Sequence, residues 1–224
     1  MKRISKELTF VAAIILDAIA VNLMVVSDLG ISTISSLPYV LSQIVSSISF
    51  GMMNFMVQSF TLVILMCITK KPSPYYILSF IVGFIFGLLV DLFEPIINML
   101  PSGIILQVIY FLLGWVTMCF SVALFHISDL PVMPFDTIVK DLVAFFKTDY
   151  RKIKTIIDLS FLSSAIICSF VFLKKLVGIG VGTIFMTIFT GTLEGKILKK
   201  LKSKYEFVAC SEICIKLESI KAIK

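Results

Sequence analysis

The chain has 224 residues, of which 58% are hydrophobic and only 15% charged, with a formal net charge of +6. A soluble domain has about 45–50% hydrophobic and about 25% charged residues, so this composition excludes one. The mean hydropathy of +1.05 excludes a disordered chain, and five scattered cysteines exclude a disulfide scaffold. The composition therefore predicts an all-α polytopic membrane protein.

Six segments are close to the length of about 20 residues that crosses the hydrocarbon of a bilayer as a helix. They are 8–26, 51–68, 75–92, 104–127, 155–173 and 176–193. The first segment follows Lys2, Arg3 and Lys6, as in a signal peptide, but it contains Asp17 and lacks a small-x-small cleavage site. We interpret it as a retained span.

Residues 30–49 are long enough to cross a membrane, but they contain seven serines and Pro38. Counting them as a seventh span would move Lys70 and Lys71 to the other side. We therefore predict a re-entrant or interfacial partial helix. Irregular backbone at membrane depth is stable only where it is buried in protein or lines a polar cavity.

Two stretches match at an offset of 101 residues, 27–37 and 128–138, and both begin Ser-Asp-Leu. Each follows a long span and precedes two more spans. The chain thus divides into repeat halves of about 1–100 and 101–200 and a tail of 201–224, which together form one membrane domain. Because each half has three spans, an odd number, the second half begins on the opposite side of the membrane and has the opposite orientation. Such inverted repeats recur in secondary transporters. Duplication without transport is the alternative.

Three motifs carry a resemblance to a known family. They are LGIS at 29–32, MPFDT at 133–137 and GIGVGT at 178–183. In these motifs the chain resembles the YczE/YitT-like bacterial membrane proteins over about residues 8–200. The resemblance implies a multi-span fold in a bacterial membrane and supplies no reaction.

The basic residues predict the orientation. With six spans, one side receives 18 of the 20 Lys and Arg residues, and the other receives only Lys174 and Lys175. The positive-inside rule then places both termini in the cytoplasm. The net charge thus reflects orientation and contact with anionic lipid, and it does not indicate binding to nucleic acid.

Asp17 lies at the centre of the first span, where a charged side chain is costly and commonly marks a functional site. It is either a substrate or proton site or a hydrogen-bonded structural residue. Asn54 and Gln58 are four residues apart on one face of the second span, so they either bind a polar ligand or join helices. Trp115 is deep in the fourth span and either lines a cavity or packs.

Asp136 follows Pro134 at the predicted start of the second partial helix. It either offsets the partial positive charge of that helix end or binds a ligand there. Lys154 and Asp158 are four residues apart near one end of the fifth span, which predicts an ion pair.

Glycines at small-residue spacing predict close helix packing in the third and sixth spans. They are Gly83, Gly87, Gly178, Gly182 and Gly191. The 178–183 segment is not a nucleotide-binding loop, because no strand precedes it and no Lys-Ser or Lys-Thr follows.

We expect a small-molecule permease or a membrane substrate-binding subunit, with a cavity between the halves. The alternative is a non-transporting anchor or regulator that binds another protein at its cytoplasmic face. The sequence has one histidine, no metal-ligand cluster and no cofactor motif, so we expect neither an enzyme nor a bound metal or cofactor. The expected contacts are membrane lipid, a small molecule and a protein partner.

Overall fold

The computed structural model describes residues 2–69, 74–128 and 133–208. The tail from residue 209 onward lies outside these residues. The described elements are eight α-helices and two short strands: β1 (Lys2–Ser5), α1 (Lys6–Ser27), α2 (Thr33–Ile44), α3 (Phe50–Thr69), α4 (Pro74–Asn98), α5 (Ile104–Ser128), α6 (Pro134–Phe146), α7 (Tyr150–Cys168), α8 (Val181–Lys204) and β2 (Tyr205–Val208). A π-helical turn, Ser169–Leu173, continues α7.

The helical, multi-span prediction is confirmed. Five of the described helical segments are long and apolar enough to cross a membrane. The sixth segment differs from the prediction: residues 174–180 are not helical, and α8 begins at Val181 and runs into a lysine-rich end. Its apolar part is therefore shorter than the predicted 176–193, and the count of six spans stays a prediction.

The two halves have the same order of helices: long, short, long, long. Their contacts are also reciprocal, because α2 packs on α7 as α6 packs on α3, and α1 packs on α4 as α5 packs on α8. The equivalent helices α1 and α5 form the largest helix contact in the described structure. The close contact between α3 and α4, however, has no counterpart of similar size between α7 and α8, so the repeat relation stays a prediction.

The equivalent helices α1 and α5 run antiparallel. Ser121 of α5 donates a hydrogen bond to the carbonyl oxygen of Ala13, whereas Gly114, seven residues earlier, lies against Ala20 of α1. An axis that relates antiparallel helices is perpendicular to them. If α1 and α5 span the bilayer, this axis therefore lies in the membrane plane, as the inverted repeat requires.

The short helices begin in the interior, between the ends of the long helices. Pro134, the first residue of α6, lies against Gly83, well inside α4, and Thr137 is 3.0 Å from Ser79. Thr33, the first residue of α2, faces Asp158 well inside α7. This is the geometry of the two predicted partial helices.

The segment that leads into α2 is held by the segment that leads into α8. The Ile31 amide donates to the Gly178 carbonyl at 3.0 Å, and the Gly182 amide donates to the Leu29 carbonyl at 2.8 Å. The Thr183 hydroxyl donates to the Ile31 carbonyl at 2.9 Å. These bonds satisfy backbone groups that no helix pairs, as a low-dielectric interior requires.

A carboxylate on α4 holds the beginning of α3. Asp91 accepts hydrogen bonds from the Gly51 amide at 2.7 Å and from the Ser49 hydroxyl at 2.6 Å. A negative charge at a helix N-terminus is favourable. Next to it the two backbones touch, since a Cβ on Gly87 would lie 2.6 Å from the Gly51 carbonyl oxygen.

The five predicted packing glycines differ in their surroundings. Gly83 contacts Pro134 and Gly182 contacts Leu29, at distances that leave no room for a Cβ. Gly178 lies outside any helix, with φ of +68°, in a left-handed conformation that favours glycine. A Cβ on Gly191 would meet nothing within 4 Å, so the packing prediction is wrong there: no described residue covers this face of α8.

The all-α prediction omitted one feature, a two-stranded parallel pair. β1 precedes α1 and β2 follows α8, and they pair from Lys2 with Tyr205 to Ser5 with Val208. Arg3 and Glu206 add an exposed ion pair at 3.3 Å. The beginning of α1 and the end of α8 therefore lie on one side of the molecule, which we call the terminal face.

The glycine contacts predict opposite effects for two alanine substitutions. Gly87→Ala places a methyl group against the Gly51 backbone, so we expect a loss of roughly 1–3 kcal/mol of unfolding free energy. Gly191→Ala, the matched control, has free space and gains helix propensity, so it should be neutral or more stable by roughly 0.5–1 kcal/mol. Titration of the helical circular dichroism of micellar protein with sodium dodecyl sulfate measures both. Equal effects would contradict the contact.

Candidate polar site between the two halves

Asp17 lies at the midpoint of α1, on the side that faces α5, and is 9% exposed. Its polar neighbour is Ser121 of α5. Small residues bring the two helices close enough for this contact, with Ala13 beside Ser121 and Ala20 beside Gly114. The sequence thus places a buried carboxyl group inside the seam that joins the two halves.

Asp136 is the carboxylate that acts on Asp17 electrostatically. It lies in the first turn of α6, which begins with Pro134 and has Met133 as its N-cap. Met133 belongs to an apolar cluster that contains Val82 and Phe86 of α4 and, on α1, Ala13 and Ile14. The structure therefore places within electrostatic range of each other two residues that the sequence separates by more than a hundred positions.

The N-terminal ends of the two short helices, α2 and α6, pack in one apolar cluster. Phe135 and Val139 of α6 pack with Phe161 of α7, and Ile34 and Leu37 of α2 pack against them. Each helix N-terminus carries unpaired amide groups and a partial positive charge. The N-terminal ends of α2 and α6, one from each half of the chain, therefore meet beside Asp136.

The predicted ion pair on α7 is present. Lys154 Nζ lies 3.5 Å from Asp158 Oδ2, and it also lies 5.5 Å from the centre of the Phe135 ring. Because α7 begins at Tyr150, five residues before the predicted start, Asp158 lies deeper than one helical turn. Asp158 Oδ1 is buried and has no hydrogen-bond partner among the described residues.

A contact between a histidine and a carboxyl group, which is an ion pair when the imidazole is protonated, joins α5 to α8. His126 Nδ1 lies 3.3 Å from Glu194 Oε1, and both side chains are partly buried. Glu194 also interacts electrostatically with Lys154 and Asp136. Sequence reasoning missed Glu194; the signal was a lone carboxylate directly after the apolar segment of α8.

Asn54 and Gln58 form a buried amide pair. Gln58 Nε2 donates to Asn54 Oδ1 at 3.1 Å, and the side chains are 1% and 3% exposed. Asn54 Nδ2 and Gln58 Oε1 have no partner among the described residues. Each amide has one NH2 group and one carbonyl oxygen. If the assignment of nitrogen and oxygen is exchanged in both side chains, one NH2 group and one carbonyl oxygen are therefore still left without a partner.

The position of this pair follows from its neighbours on α3. Gly51, one turn before Asn54, lies against Gly87 of α4. Leu62, one turn after Gln58, packs in a cluster with Ile138 of α6. The amide pair therefore lies on the face of α3 that is directed at α4 and α6. No described contact joins it to Asp17.

Trp115 does not lie with these groups. It is half-buried between α5 and α8, where Nε1 donates to Thr190 Oγ1 at 3.1 Å and the ring packs edge-on against Phe185. A structural role in the α5–α8 interface accounts for these contacts.

Two cavities lie between helices and are apolar. One, of about 530 Å³, is bounded by α2, α3 and α7, and the other, of about 200 Å³, lies beside Phe111 and Phe185. Neither is lined by Asp17 or Asn54. Within the described ranges, no three His, Cys, Asp or Glu side chains are grouped closely enough to hold a metal ion.

Asn22 provides a control for the amide pair, since its side-chain nitrogen makes two hydrogen bonds. Nδ2 donates to the carbonyl oxygens of Ala18 at 3.0 Å and of Val90 at 2.9 Å, which ties α1 to α4. Asn22→Leu should therefore lower the unfolding free energy by roughly 1–3 kcal/mol. The double substitution Asn54→Leu, Gln58→Met removes two orphaned groups with their partners and should be neutral or stabilising. The same detergent titration measures both variants, and a loss in the double variant as large as that of Asn22→Leu would show that the pair joins helices.

The model of a family of unknown function (DUF6198) matches residues 4–199. No curated protein and no solved structure matches the chain. The resemblance to YczE/YitT-like proteins stays a hypothesis, because the matching family model does not carry that name. The match includes all eight described helices except the last five residues of α8. The chain therefore belongs to the DUF6198 family of unknown function.

Proposed function

We propose that this integral membrane protein is a small-molecule permease, or the membrane substrate-binding subunit of one. The observation that carries the proposal is the meeting of two short helices, one from each half of the chain, beside Asp136, which lies within electrostatic range of Asp17. The transport path runs between the halves at this point.

The free-energy cost of the interrupted helices and buried carboxyl groups supports this proposal. Breaking a helix at membrane depth exposes backbone groups, and placing carboxyl groups there is unfavourable. A protein that only needed a stable fold would gain from continuous apolar helices. Asp17 and the amide pair of Asn54 and Gln58 would bind the substrate, and Asp136 would lie at the mouth of the path nearer the terminal face.

We further propose that the protein lies in the bacterial cytoplasmic membrane with the terminal face in the cytoplasm. The basic residues support this orientation through the positive-inside rule. The pairing of β1 with β2 requires an even number of crossings, whereas the strongly apolar helices number five. We infer that α8 makes the sixth crossing, after the irregular 174–180 segment.

The alternative function is a non-transporting anchor or regulatory subunit. The observation that favours it is the basic end of α8, where Lys196, Lys199, Lys200, Lys202 and Lys204 follow the apolar part. This end would contact anionic lipid or an acidic protein partner. We propose no enzymatic reaction, cofactor or metal for either function.

Asp17→Asn tests the permease proposal. A neutral amide avoids the cost of a buried charge, so the variant should fold with nearly unchanged thermal stability. It should lose every ligand-dependent rise in melting temperature that a metabolite panel produces in the wild type. Asp91→Asn is the control: it should lose stability because it weakens the beginning of α3, but keep the ligand response. A ligand-responsive Asp17→Asn protein would remove Asp17 from the site.

The orientation is tested with reporters. A phosphatase–fluorescent protein pair fused after Lys224 should report a cytoplasmic end, and a cysteine in the 98–103 loop should react with an impermeant maleimide from outside. An external C-terminus would reverse the charge argument and exclude α8 as the sixth crossing.

A further inference from the structure

The larger of the two cavities is a groove between helices, which we call the lateral groove. Its floor is the short helix α2, through Leu37 and Leu41, which are four residues apart on one face. Its walls are the long helices α3 and α7, which both pack against α2. On the α7 wall the small side chains of Ser160 and Ser164 leave room for the groove.

The α3 wall opens the lateral groove to the bilayer. Met56, Phe60 and Ile64 line the groove and, at four-residue spacing, form one stripe along α3. Their side chains are 47%, 68% and 43% exposed, and α3 is long and apolar enough to cross a membrane. This stripe therefore contacts lipid, and the groove is continuous with the lipid-facing surface.

The lining of the lateral groove suits a hydrocarbon. None of the described residues that line it is charged. Of its three hydroxyl groups, those of Thr61 and Ser160 already donate to the carbonyl oxygens of Val57 and Ile156, each at 2.8 Å. A polar group that entered the groove would therefore leave water without gaining equivalent hydrogen bonds, which is unfavourable.

The dimensions of the lateral groove match one acyl chain. Its volume of about 530 Å³ is in the range of about 300–1,000 Å³ that encloses small ligands. From Met53 to Ile64 it follows α3 for about 17 Å. The hydrocarbon of a bilayer is about 30 Å thick, so a chain that belongs to one leaflet covers about 15 Å.

The lateral groove adjoins the place where the two short helices meet. Leu37, Val57 and Phe161 line the groove, and they also belong to the apolar cluster that packs the N-terminal ends of α2 and α6. A hydrocarbon chain in the groove would therefore cover the open side of this cluster and add to the packing of both helix ends.

We propose that the lateral groove binds one acyl chain of a membrane phospholipid, and that the bound chain completes the packing around the N-terminal ends of α2 and α6. The chain enters sideways from the bilayer while its headgroup stays at the membrane surface. The proposal does not rest on the proposed function, because the groove is the same whether the protein is a permease or an anchor.

Photolabelling in lipid vesicles tests the proposal. The probe is a phosphatidylglycerol that carries a diazirine at the middle of one acyl chain, and peptide mass spectrometry locates the labelled residues. In the wild type the probe should label Leu37 and Leu41 on the half-buried floor. It should also label Ile85 and Leu88 of α4, which are exposed to any surrounding lipid and serve as the internal reference.

Two substitutions on α7 separate the lateral groove from the rest of the surface. Ser164→Phe fills the groove, so it should lose the labelling of the floor and keep that of α4. Ser163→Phe is the matched control, because Ser163 is exposed and does not line the groove; it should be labelled like the wild type. Thr61→Phe fills the groove from α3 and serves if circular dichroism shows that Ser164→Phe does not fold.

The stabilising role of the chain is tested in detergent. Added phosphatidylglycerol should raise the melting temperature of the wild type and of Ser163→Phe, and raise that of the groove-filling variants less, because a ligand that binds only the folded state stabilises it. An equal rise in all variants would refute this role.

Two results overturn the proposed binding. In one, the probe labels α4 of the wild type but not the floor, either because the lateral groove is empty or because a second copy covers it, which cross-links between chains would show. In the other, the floor is labelled at the wild-type level in both groove-filling variants.

Discussion

The close antiparallel contact between α1 and α5 is the constraint on which the rest of the structure depends. In lipid there is little hydrophobic gain from bringing two helices together, so their association relies on packing and interhelical hydrogen bonds. Ala13, Ala20, Gly114 and Ser121 provide both along this seam. Because α1 and α5 are the first helices of the two halves of the chain, the seam also sets how the halves face each other.

Each short helix begins against a long helix of the other half of the chain. Pro134 of α6 lies against Gly83 of α4, and Thr33 of α2 faces Asp158 of α7. The irregular segment before α2 is stable because Gly178, Gly182 and Thr183 supply its missing hydrogen bonds. The sequence predicts a continuous span over 176–193. The same contacts explain why the glycine-rich motif at 178–183 instead forms a loop that ends at the beginning of α8.

The polar groups of the interior are of two kinds. The Asn22 side-chain nitrogen and both Asp91 carboxylate oxygens are hydrogen-bonded and hold helices together. Asn54, Gln58 and Asp158 each leave a buried atom without a partner among the described residues. An unpaired buried polar group costs free energy, so a protein that keeps several of them is less stable than its fold allows. Such a loss of stability is common where side chains serve binding or transfer.

The sequence by itself determined the membrane class and the ends of α1, α3 and α5 to within two residues. These properties depend on local composition and on spacing along the chain, as with α3, which begins and ends within one residue of its predicted span. It also determined the Lys154–Asp158 pair, since four residues make one turn of a helix. The neighbourhood of Asp17 and Asp136, the partner of His126 and the place of Trp115 were decided only by the tertiary structure. Each of these depends on which helix packs against which, and long-range contacts between apolar helices leave no local pattern in the chain.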